Sequence, residues 1–76
     1  MQLDEYRKVS DAVMELYEEL REDSKSSEMI KAVDRNPKDY VLKDFLTRGV
    51  ARLREMGKND MADAIVDKSR EFAFIN

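Results

Sequence analysis

Apolar residues Leu3, Tyr6, Val9, Val13, Leu16 and Leu20 step by three or four along the start of the chain. That spacing follows the turn of a helix and predicts a first helix over about 3–22 with one buried side. The polar stretch Asp23-Ser24-Lys25-Ser26-Ser27 breaks the period. Ser26 or Ser27 can cap a short second helix, about 27–35, whose apolar side is Met29, Ile30 and Val33. Asn36-Pro37 stops it, because a proline disfavours helical geometry in the residue before it. Asn36 as cap, Pro37 as first residue and Asp39 in the capping-box position predict a third helix over about 37–56. Its apolar side is Leu42, Phe45, Leu46, Gly49, Leu53 and Met56. Gly57 ends that helix, since glycine readily takes the left-handed turn. Asn59 is the expected cap of a fourth helix, about 59–74, burying Met61, Ala62, Ile65, Val66, Ser69, Phe72 and Ala73.

No stretch alternates over a strand's length, so the expected fold is all-α. It is a single domain over 1–76: a small bundle of four helices, with a long helix 1 and a short helix 2. Helices 3 and 4 form an antiparallel hairpin across Met56-Gly57-Lys58-Asn59. Gly49 stands mid-helix, where it costs about 1 kcal/mol against alanine. Close approach of another helix is a reason to keep it.

A chain of 76 residues has room for one thin core, and with no Cys it has neither disulfide nor thiolate metal site to staple it. Hydrophobic residues make up 42%, enough for a folded domain despite 41% charge. No apolar run reaches the length of a membrane span, and Met1-Gln2-Leu3-Asp4-Glu5 does not resemble a secretory signal. The expected location is cytoplasmic, with no membrane partner.

Charge is sorted along the chain. Residues 1–28 carry nine acids and four cations, a balance of −5. Residues 29–57 carry seven cations and four acids, +3, and the rest returns the total to −3. Opposite fields on consecutive segments favour packing them together, so the acidic flank of helix 1 is expected near Arg48, Arg52 or Arg54. Local pairs are expected at Arg7–Asp11, Glu18–Arg21, Asp44–Arg48 and Arg52–Glu55.

The chain has no His, Cys or Trp, which removes the commonest general base, the thiol nucleophile and the usual zinc ligands. No Gly-rich phosphate loop is present, and no cofactor is expected. Asp60, Asp63, Asp67 and Glu71 recur at helical spacing but lack the order of a calcium loop, and read as a solvated face. The expectation is a protein that is not an enzyme. Helix 2, the Asp34-Arg35-Asn36-Pro37 turn and helix 3 can be laid onto a helix-turn-helix, with Lys38, Lys43, Thr47 and Arg48 reaching DNA. Against this, Arg35 and Pro37 fall on positions that should be apolar, and the protein is acidic, with pI about 4.9. Nucleic acid is therefore not the expected partner.

What remains is an apolar surplus: Met14 and Tyr17, Tyr40, Val41 and Val50, and Phe74 and Ile75. The face of helix 3 is wider than one packing seam needs. This points to a protein-interaction or regulatory module acting through a helical surface, with a protein partner and homodimerisation as its form. Tyr17, Tyr40, Val41, Val50 and Phe74 would be apolar anchors; Arg48, Arg52 and Arg54 would meet acidic groups. An alternative is an acidic inhibitor or adaptor. Its Glu15, Glu18, Glu19, Glu22 and Asp23 would mimic phosphates at a basic site of a nucleic-acid-processing protein.

Overall fold

The computed structural model describes residues 3–74, with side chains over 7–74. The described residues form four α-helices: α1 (Leu3–Leu20), α2 (Ser27–Arg35), α3 (Asp39–Glu55) and α4 (Asn59–Ser69). A 3-10 turn, Ser24–Ser26, precedes α2, and a π-helical turn, Arg70–Phe74, follows α4. Together they make the all-helical bundle that the periodicity implies, with no strand among the described residues.

Helix α3 is the hub. It packs against α1, α2, α4 and the π-helical turn, while α1 also lies along α4. The buried core comprises Ala12, Leu16 and Leu20 of α1, Val33 of α2, Phe45, Leu46, Val50 and Leu53 of α3, and Ala62 and Ile65 of α4. Val9 and Val13 flank that line half-buried, so the seam of α1 runs through Ala12, which its small size hid from the apolar period. Leu3, Tyr6 and Ile75 lie outside the described side chains.

Gly49 is buried at the crossing of α1 and α3. A Cβ there would collide with Leu16 Cδ2 and stand 2.8 Å from its Cγ and 2.9 Å from its Cδ1. Leu16 is itself fully buried, so its side chain has nowhere to retreat. The missing side chain of Gly49 is what lets the two helices approach.

Local bonds shift two boundaries and one cap from those expected. Helix α3 begins at Asp39, with Lys38 in the cap position and no side-chain cap. Asn36 instead ends α2: its N–H donates to the Ala32 carbonyl. The Lys38 N–H donates back to the Asn36 carbonyl at 2.8 Å, a tight three-residue turn centred on Pro37. The ring that was expected to open the helix shapes the corner before it. Helix α4 starts at Asn59, as expected, but with Lys58 rather than Asn59 in the cap position. The Lys58 N–H donates to Leu53 and the Gly57 N–H to Arg54, the pair of bonds that closes a Schellman turn. With Lys58 used in closing α3, α4 follows immediately. Finally, α4 stops at Ser69 rather than running to 74. The buried Ser69 hydroxyl donates to the Ile65 carbonyl at 2.6 Å, competing with the helix ladder where the wider π turn begins.

Gly57 has φ +80, and a Cβ there would meet nothing within 4 Å. Gly57→Ala should therefore cost only the left-handed backbone penalty, about 1 kcal/mol in chemical denaturation, and Gly57→Asn should cost less. Equal stability of all three proteins would contradict the Schellman assignment.

Candidate interaction surface

The eight residues expected to meet a partner do not share one surface. Val50 is buried, 6% exposed, and belongs to the core. The wide face of α3 that suggested an external partner is covered from within the chain by α1, α2, α4 and the π turn. Val50 as a surface anchor is thus corrected. Val41 and Phe74 are half-buried and pack against the same core. The Tyr17 hydroxyl donates to Asp34 Oδ1 at 2.8 Å, tying α1 to α2. That bond to Asp34, with some burial, pushes the Tyr17 phenol above its ordinary value. Tyr40 stays exposed, 66%, at the α2–α3 corner, where its hydroxyl accepts a hydrogen bond from Asn36 Nδ2.

All three arginines are engaged within the chain. Arg48 pairs with Asp44 at 3.3 Å and remains exposed. Arg54 bridges to Asp63 of α4 at 2.9 Å. Arg52 is held most firmly. Its Nε donates to Asp23 Oδ2 at 2.7 Å and its Nη2 to Asp23 Oδ1 at 3.0 Å. The Ser26 hydroxyl donates to the same Oδ2 at 2.6 Å. Ser26 therefore stands in the α2 cap position while its hydroxyl serves Asp23, not the helix amides. The Asp23 and Arg52 side chains are 12% and 19% exposed, against half or more for most helical pairs here. The Arg52 guanidinium, with the Ser26 hydroxyl, holds the Asp23 carboxyl far below the usual aspartate value, and Asp23 in turn raises Arg52.

Among the described residues, Arg52 alone of the three arginines meets the acidic first segment, and it does so through Asp23, beyond the end of α1. The acids on α1 itself find lysines of the α3–α4 hairpin. Glu15 accepts from Lys68 at 2.6 Å, and Glu19 pairs with Lys58. Sequence reasoning missed both lysines because they lie in the last segment, whose balance is negative. Four of the five carboxylates that could mimic phosphates are therefore paired within the chain, Glu18 with its helical neighbour Arg21. The expected Arg7–Asp11 pair is not found among the described residues, where no three potential metal ligands cluster either.

Two concave regions stand out among the described residues. The first is an apolar groove of about 300 Å³ between α1, α2 and the start of α3. Val9, Val13 and Met14 form one wall, and Val33, Pro37 and Leu42 the other, with Ser10 at the edge. Met14 is 63% exposed, one of two large hydrophobic side chains left open to solvent among the described residues. Its position off the buried line of α1 is the signal by which the sequence marks it. The second is a cleft of about 510 Å³ where the N-terminal half of α1 and the first turns of α3 face the end of α4 and the π turn. Cations Lys8, Lys43, Lys68 and Arg70 and acids Asp39, Asp67 and Glu71 line it, with Val9 and Phe72 as apolar wall.

Because Asp23 titrates below its ordinary value of 3.8 in the folded chain, the unfolded chain binds its proton first as pH falls. Its stabilising contribution is complete above that value and is lost progressively below it. Asp23→Asn should melt lower than the parent at neutral pH, and its stability should fall less steeply below about pH 4. Arg52→Gln should lower the melting temperature more than Arg48→Gln or Arg54→Gln; an equal effect at all three sites would contradict the special role of the Asp23 contact.

Comparison of the chain with family models, curated proteins and solved structures yields no match.

Proposed function

We propose that this chain is a small non-enzymatic interaction module that offers the groove between α1, α2 and α3 to another protein surface, in the first instance a second copy of itself. The observation that carries this reading is Met14, 63% exposed on the lip of a groove walled by Val9, Val13, Val33, Pro37 and Leu42. A large apolar side chain left in water beside an apolar depression costs free energy unless something covers it. Methionine suits such a contact because its flexible thioether adapts to irregular partner surfaces. A two-fold dimer would bring groove to groove and cover both methionines at once.

The phosphate-mimic reading draws less support, since Glu15, Glu19 and Asp23 each meet a cation of the same chain. The helix-turn-helix reading draws little: Arg48 is paired with Asp44 and the Thr47 hydroxyl donates to the Lys43 carbonyl.

Met14→Glu changes an exposed position and should leave stability within about 0.5 kcal/mol of the parent. Sedimentation equilibrium of the parent should show mass-action dimerisation over a hundredfold concentration range, and Met14→Glu should remain monomeric. A parent that is monomeric throughout removes the homodimer. A variant that dimerises like the parent removes the groove as its seat.

A further inference from the structure

The charged cleft is a separate feature from the apolar groove, although Val9 borders both. Asp39 and Lys43 stand one helical turn apart with the acid first, the order that favours an ion pair. The same spacing does close at Asp44–Arg48, 3.3 Å, one turn further along α3. Yet neither Asp39 nor Lys43 forms an ion pair among the described residues. Lys43 Nζ lies instead over the Phe72 ring, 5.3 Å from its centroid, within cation–π range. An ammonium held by an aromatic face keeps its full charge and its N–H donors, so it can still receive an anion. Asp39 is correspondingly left to receive a cation, and Glu71 on the opposite wall is likewise outside any ion pair of the described residues.

We propose that this cleft binds a small zwitterion with an apolar body, of the chemical kind of a free aromatic or branched-chain α-amino acid. The anionic group meets Lys43, with Lys8 raising the local positive potential; Arg70 is offset by Asp67, 4.0 Å away. The ammonium group meets Asp39 or Glu71. The apolar body rests on Val9 and Phe72. A ligand with charge of one sign would leave the opposing wall charges facing it unpaired or repelled, which is how charged sites discriminate. The volume, about 510 Å³, lies within the range of small-molecule sites and exceeds the needs of a bare inorganic ion. The π-helical turn gives the arrangement its geometry: it carries both Phe72 and Glu71 and packs on α3, which carries Lys43. Single-turn π segments of this kind recur at functional sites.

The test is an amide chemical-shift titration of the full chain with L-phenylalanine, phenylacetate and phenethylamine. L-phenylalanine should give saturable shifts confined to residues around Lys8, Asp39, Lys43 and Phe72, and should bind at least about tenfold tighter than either singly charged analogue. Lys43→Gln and Asp39→Asn, both at exposed positions, should each weaken it by about tenfold or more while the spectrum elsewhere stays folded. Phenylacetate binding as well as L-phenylalanine, or Asp39→Asn without effect, would overturn the zwitterion assignment. Shifts that do not saturate or that spread over surface charges at large would overturn the site itself.

Discussion

Leu16 seated on Gly49 is the contact around which the other helices arrange themselves. Both residues are buried, and the Leu16 isobutyl group occupies the volume where any other residue at position 49 would carry a side chain. The absence of a side chain at Gly49 is what lets α1 approach α3 this closely. The approach lets one helix, α3, serve as a floor for α1, α2, α4 and the π turn together. In a chain of 76 residues that economy matters, because a thin core leaves little apolar area to hold each element separately.

Electrostatics then fixes which way round the pieces go. Surface ion pairs add at most about 1 kcal/mol apiece, so Glu15–Lys68 and Glu19–Lys58 select the arrangement of α1 on the hairpin more than they stabilise it. Asp23 with Arg52 and Ser26 is different in kind: it is mostly withdrawn from water, and both Asp23 carboxylate oxygens accept hydrogen bonds. It fastens the link between α1 and α2 to the middle of α3. The acidic first segment and the basic second segment thus meet chiefly at one shielded contact, while other charges of the two segments pair within a helix, as Asp44–Arg48 does, or with the last segment, as Glu15–Lys68 and Arg54–Asp63 do.

The four helices, their apolar sides and the role of Gly49 were legible in the sequence because each rests on a repeating pattern or on a residue with one dominant physical use. Gly57 in a left-handed turn is of that sort. What was not legible depended on competition between local bonds. Asn36 could cap forward or finish α2 backward, and Pro37 could open a helix or form a tight turn; the spacing permits both. Ser26 and Ser69 carry hydroxyls that bond to Asp23 and to the Ile65 carbonyl rather than to their expected surroundings. The surface residues were least legible. Tyr17 and Arg52 have the composition of interface anchors, yet their partners, Asp34 and Asp23, lie within the chain at separations no periodicity reveals. Val50 extends an apolar face whose width reflects four internal neighbours. Tyr40 and Met14, by contrast, remain exposed as their off-stripe positions suggest.

The steric keystone can be examined with a single methyl group. In a helix interior without neighbours, replacing glycine by alanine raises stability by about 1 kcal/mol through helix propensity alone. At position 49 the methyl must displace the buried Leu16, so urea denaturation of Gly49→Ala should show a loss of about 1–3 kcal/mol instead. A variant more stable than the parent would mean that α1 and α3 are not pressed together here, and the arrangement of the whole bundle described above would be wrong.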